Sequence, residues 1–200
     1  MKLKLVLLLC LFLISCQNEI NRIDSNKNKV FLYQMENALF CSSFRIMYKG
    51  NVYLVTARHS IKNEVDKTYG ITWNENWNDV YIIKKDTYRN YFIISDIKIP
   101  CGLLENHGPR LNYPITVCGY NQYGKYIESN GYVCGRLYSE EEKIDIVYTN
   151  VDIEVGMSGG VVLDINGKVL GIVSQLLKPL NGDKARSAFT PIDRSFKYMK

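Results

Sequence analysis

From Val30 onward, short apolar runs alternate with breaks at Gly, Asn, Asp or Pro. The runs are roughly five to eight residues long and rich in Tyr, Ile, Val and Phe, the residue types that suit a pleated, half-buried surface. The pattern predicts strands at 31–34, 38–48, 52–56, 68–73, 79–85 and 91–99, then a Gly/Pro/Asn-containing stretch at 100–112. Further strands are expected at 115–119, 131–138, 144–149, 160–164 and 168–175. Six strands, a linker and about five more predict an all-β protein of two similar lobes. Residues 189–198 read as a last strand end and a short closing helix, with Pro191 at its start and Lys197 and Lys200 near its end.

Upstream of Val30 the pattern changes. Lys2 and Lys4 precede an apolar run from Leu5 to Ile14. The run is too short to span a bilayer and reads as the core of a signal peptide over residues 1–15. It ends in Leu13-Ile14-Ser15-Cys16, which resembles the bacterial lipobox, where a peptidase cuts before the cysteine and its thiol is diacylated. Lipidation of Cys16 would anchor the chain to a membrane without spanning it, in the bacterial cell envelope and on its extracytoplasmic side. Residues 16–29 are Asn- and Lys-rich and read as a tether. Gln17 after the lipid cysteine argues weakly against inner-membrane retention.

Composition narrows the partners. Hydrophobic residues make up 46% of the 200 and charged residues 22%, as in a globular protein. The net charge of +5 falls to +3 once Lys2 and Lys4 are removed, and no basic block suited to nucleic acid occurs. No C-x-x-C pair suggests a zinc site, and no metal or cofactor is implied. Of six cysteines, Cys10 is lost with the leader and Cys16 is the acylation site. Cys41, Cys101, Cys118 and Cys134 remain. Cys118 and Cys134 lie on neighbouring predicted strands and are the first choice for a disulfide, with buried thiols as the alternative.

The sharpest motif is Gly156-Met157-Ser158-Gly159-Gly160. Glycines let successive amides point at one spot, where they can hold the oxyanion of a tetrahedral intermediate. The serine between them is placed for attack, but a serine needs a base. The sequence has two histidines, His59 and His107. His59 closes the apolar run Leu54-Val55-Thr56-Ala57-Arg58, whereas His107 sits in a polar Gly/Pro loop typical of a solvated surface histidine. His59 is therefore the candidate base.

These residues carry a family resemblance. Val-Thr-Ala-Arg-His ending at His59 resembles the histidine motif of trypsin-like serine proteases, and Gly-Met-Ser-Gly-Gly resembles their G-x-S-G-G motif. Val169-Leu170-Gly171-Ile172-Val173-Ser174 resembles their cleft-lining strand, and Phe189-Thr190-Pro191-Ile192-Asp193 the segment closing HtrA-type protease domains. The match spans about residues 30–198, histidine first and serine late. It implies two six-stranded antiparallel β-barrels of the chymotrypsin type, barrel one at about 30–100 and barrel two at about 112–185, with the active site between them. With the chain ending at Lys200, the peptide-binding PDZ domain of full HtrA proteins is not expected.

The resemblance also assigns roles. The oxyanion hole falls to the amides of Gly156 and Ser158. Ser174, Gln175 and Leu176 become the wall on which a substrate strand pairs. Asp152 takes the base of the primary specificity pocket, where a carboxylate selects Arg or Lys; a surface turn is its alternative. Residues 178–184 form a polar loop at the pocket rim. The triad aspartate should open the third strand after the histidine, but that place holds Asn90. Asp79, Asp86 and Asp96 remain open as substitutes. In proteases of this type, replacing the aspartate by asparagine lowers kcat about 10⁴-fold. The expected function is a serine endopeptidase acting on protein or peptide substrates. The alternative is a binding lipoprotein that kept the fold and lost efficient catalysis; a purely structural lipoprotein leaves the serine motif unexplained.

Overall fold

The computed structural model describes residues 30–34, 40–48, 51–60, 68–73, 76–85, 90–94, 109–140, 144–177 and 186–192. The expected leader, Cys16, the expected tether, Asp86, Asp96, Cys101, His107, residues 178–184 and most of the expected closing helix lie outside these residues. No helix among the described residues is long and apolar enough to cross a membrane.

Twelve strands form two closed antiparallel barrels. In the first, β1 (Val30–Gln34), β2 (Phe40–Tyr48) and β3 (Asn51–Ala57) run in sequence. The circle continues through β6 (Asn90–Ile94) and β5 (Asn76–Lys85) to β4 (Thr68–Trp73), which pairs back onto β1. The second contains β7 (Pro114–Tyr120), β8 (Tyr126–Ser139), β9 (Ile144–Thr149), β10 (Val161–Leu163), β11 (Val169–Leu176) and β12 (Ser187–Pro191). Its order is β10-β11-β12-β9-β8-β7, closed by β10 on β7. Closure pairs the end strands of each sheet with one another.

Each barrel is filled by its inward alternate positions. Phe44 and Val55 are fully buried in the first, and Val117, Val147, Met157, Val162 and Phe189 share the core of the second. Val169 to Ser174 of β11 are buried at every position. One face of β11 lines its own barrel, and the strand also packs on β3 of the other barrel.

Two sequence expectations need correction. The strand expected to begin at Gly131 begins at Tyr126. Asn130-Gly131 looks like a turn, yet it continues the ladder: Asn130 stands opposite Thr116, whose hydroxyl donates to its side-chain oxygen at 2.7 Å. Gly131 is required because a Cβ there would collide with Asn150 and Val151. The second correction concerns Cys118 and Cys134, which do not form a disulfide. Cys118 stands opposite Glu128 and Pro114 opposite Tyr132, so Cys134 lies beyond the far end of that ladder. Six residues of strand separate the two levels, about 20 Å at ~3.4 Å per residue. A disulfide needs Cα atoms within about 7 Å.

Candidate active site

β3 ends at Ala57, and the chain turns at once into a single 3₁₀ turn, Arg58–Ser60. His59 at its centre is exposed, while Ser60 is buried. Beneath the turn lies Cys41 of β2, whose thiol is pushed up to about 12 by burial, an effect partly offset by hydrogen bonds with Ser60 and Thr56. The turn thus presents its histidine outward and rests on a buried polar contact.

Ser158 is half-buried, in the segment leading into β10. The preceding four residues, Glu154 to Met157, form a turn closed by the Met157 N–H on the Glu154 carbonyl at 3.1 Å. Gly156 is its third residue with φ +100°, a position that glycine fills without strain. Met157 is fully buried and pins the turn to the second core. The amides of Gly159 and Gly160 are taken up by the carbonyls of Val173 and Met157, at 2.8 and 2.9 Å. The amides of Gly156 and Ser158 have no acceptor among the described residues.

The two barrels meet at this turn. The Ser158 carbonyl accepts the Ser42 N–H at 3.0 Å. Gly159, with φ +86°, lies so close to the end of β3 that a Cβ would collide with the Ser42 carbonyl and the Thr56 hydroxyl and stand 2.9 Å from the Ala57 nitrogen. Ser158 is therefore set against the strand end that leads two residues later into His59.

Asn90 opens β6 directly opposite Ala57, on the same level as the entry to the His59 turn. Asp79 is not brought there. It pairs with Gly70 in the middle of β5, a strand not adjacent to β3. Lys85 of β5 stands opposite Tyr91, so Asp79 lies about seven residues, roughly 23 Å, along the strand from the level of Asn90.

On the cleft side, the N–H and carbonyl of Val173 both face Gly160 and Gly159. Beyond Val173, β11 continues past the Ser158 turn paired with β12, and Ser174 is an extra residue in that ladder. Ser174 is buried and donates to the Ala188 carbonyl at 3.2 Å; Gln175 is half-buried and Leu176 exposed. Asp152 is exposed. A carboxylate open to water gains little from an ion pair, which favours the surface-turn reading of this residue.

Sequence reading missed Ser42. It is fully buried, its hydroxyl accepts the Tyr120 N–H at 2.7 Å and donates to the Gly156 carbonyl at 3.1 Å, and its carbonyl accepts the Thr56 hydroxyl at 2.7 Å. The signal available was a pair of hydroxyls, Ser42 and Ser43, inside an otherwise apolar run.

The profile of the family described as a trypsin-like peptidase domain matches residues 41–172, from Cys41 beneath the His59 turn to β11. The chain belongs to the trypsin-like peptidase family. Solved structures agree with this peptidase in fold. The active form of the Rv3671c protease from M. tuberculosis superimposes with a TM-score of 0.68 at 17% identity, over 84% of this chain and 78% of that one. The HtrA-type protease AlgW with a tripeptide gives 0.72 at 18%, over 86% and 59%. The serine endoprotease from Yersinia pestis gives 0.67 at 17%, over 85% and 60%. No curated protein matches this peptidase. Family and fold together are those of a trypsin-like serine protease.

Proposed function

We propose that this chain is a serine endopeptidase that cleaves protein or peptide substrates through an acyl-enzyme on Ser158. The observation that carries the reading is the packing of Gly159 on Ser42, Thr56 and Ala57, which seats the Ser158 turn against the strand end leading into His59. His59 takes the Ser158 proton as its oxygen attacks the scissile carbonyl. The oxyanion is received by the amides of Gly156 and Ser158, and His59 returns the proton to the leaving amine. Water, deprotonated by the same imidazole, then releases the acyl group. The open edge of β11 from Ser174 to Leu176 pairs with the substrate backbone as an added strand.

Asn90 takes the third position. A carboxamide can accept the Nδ1 proton of His59, but it carries no charge to stabilise the imidazolium. It can also turn its NH₂ toward Nδ1 and hold the unproductive tautomer. Turnover should therefore be slow at neutral pH. This favours a second reading, a protein-binding module on the same fold. A fluorophosphonate probe separates the two. Labelling of the wild type and none of Ser158→Ala is expected, and a folded wild type that takes no label would leave only the binder. The mature chain begins at Cys16, lipidated and extracytoplasmic. Metabolic labelling with radioactive palmitate should mark the wild type but not Cys16→Ala, and equal labelling of both would refute the anchor.

A further inference from the structure

The turn that carries Gly156 is held from a side that the catalytic motif does not reach. Between β7 and β8 the chain reverses over residues 121–125. Buried Asn121 organises this reversal: its side-chain oxygen accepts the N–H groups of Tyr123 and Lys125 at 3.1 and 2.9 Å. Its side-chain NH₂ donates to the Glu154 carboxylate at 2.7 Å, across to the first residue of the Gly156 turn. The next residue, Gln122, donates its backbone N–H to the Val155 carbonyl at 2.7 Å. The two turns are in van der Waals contact, since a Cβ on Gly156 would collide with the backbone of Asn121 and Gln122.

The peptide between Val155 and Gly156 is the unit that matters. In a trans peptide the carbonyl and the N–H point in opposite directions. With the Val155 carbonyl fixed on Gln122, the Gly156 N–H is turned the other way. Rotation of this peptide about its flanking bonds would aim a carbonyl dipole where an N–H had been. Glycine has the freedom to allow that rotation, so something outside the turn must oppose it.

We propose that Asn121 is a positioning residue for the oxyanion hole: by joining the 121–125 reversal to Glu154 it holds Gln122 on the Val155 carbonyl, and so keeps the Gly156 N–H directed at the developing oxyanion. The assignment rests on the proposed role of the Gly156 amide. It predicts a defect expressed in the transition state, where the oxyanion exists, and little in the ground state.

The test exploits the donor–acceptor sense of the Asn121–Glu154 bond. Asn121→Asp sets two carboxylates against each other, whereas Asn121→Asp combined with Glu154→Gln restores the bond with donor and acceptor exchanged. Each variant is assayed with p-nitrophenyl acetate and for its rate of fluorophosphonate labelling, beside wild type and Ser158→Ala, with thermal midpoints as the folding control. Deleting an oxyanion donor costs about 10²–10³ in kcat, so loosening one should cost about 10-fold or more. The expected result is that loss in kcat and labelling rate for Asn121→Asp, with KM within about twofold, and recovery to within about threefold of wild type in the double variant. Single and double variants equally impaired, or a single variant matching wild type, would overturn the positioning role while leaving the active site standing. Wild type no more reactive than Ser158→Ala would instead remove the proposed function, and this assignment with it.

Discussion

In the proposed mechanism Asn90 is the residue on which the rate turns. Its place opposite Ala57 puts it at the level where a triad carboxylate would orient His59. Asn90→Asp should therefore raise kcat at neutral pH by one to several powers of ten, within the ~10⁴-fold ceiling for this exchange. A pH–rate profile with a protein or ester substrate checks it, and an unchanged kcat would mean that another group stands behind His59. Gly159 gives a prediction of the opposite sign. A methyl group there meets the Ser42 carbonyl, Thr56 and the Ala57 nitrogen, and φ is +86°. Gly159→Ala should abolish fluorophosphonate labelling and lower the thermal midpoint. His59 and Ser158 stood out as candidates in the sequence because the proposed chemistry allows few residue types at those places. The third position did not, since Asn90, Asp79, Asp86 and Asp96 differ only in strand register, which is a property of pairing partners far along the chain. Pairing puts Asp79 in mid-strand beside Gly70.

Among the elements, β2 does more than fill the first barrel. Ser42 inserts a hydroxyl between the end of β7 and the Gly156 carbonyl, at 2.7 and 3.1 Å. Ser42→Ala leaves the Tyr120 N–H without its hydroxyl acceptor in a closed environment, at a cost of about 1–3 kcal/mol. Urea unfolding should show that loss, together with a fall in kcat larger than any change in KM. A variant as stable as wild type would show that the bond is not contributing. Periodicity located β3, β4, β7 and β9 to within a residue or so, because each is a run of apolar and β-branched positions bounded by polar ones. It failed at β8, where Asn130 and Gly131 have the composition of a turn but serve the ladder and the close approach of Asn150. Ser42 and Asn121 were illegible for a related reason. Their partners, Tyr120, Gly156 and Glu154, are distant in sequence, and a buried polar residue announces itself only through the groups it satisfies.

For the molecule as a whole, the repetition of six strands, a linker and a second set of strands foretold two lobes; their closure follows from the pairing of β4 with β1 and β7 with β10. The thiols report on that packing. Cys41 and Cys118 are buried and Cys134 is half-buried. Brief alkylation of the native protein, followed by peptide mapping, should modify Cys134 first and spare Cys41 and Cys118 until the chain unfolds. Cys41 also sets an alkaline limit. The folded protein keeps this thiol neutral up to about 12, whereas the unfolded thiol ionises near the ordinary 9.0. The resulting stabilisation is complete below pH 9 and is lost as pH rises from about 9 towards 12. Stability measured over that window should decline less steeply in Cys41→Ala than in wild type.

The segment bearing Ser158 is bonded to both barrels at once, through the Ser158 carbonyl to Ser42 and through the Gly159 amide to Val173. Neither barrel alone supplies both anchors, so on the proposed function a chain with one barrel formed would be a precursor without a working centre. Such latency would spare a newly made chain from attack by its half-folded neighbours. The two tryptophans, Trp73 and Trp77, both belong to strands of the first barrel. During refolding their fluorescence follows that barrel alone, and the return of Ser158 reactivity should lag behind it by the time the two halves take to dock.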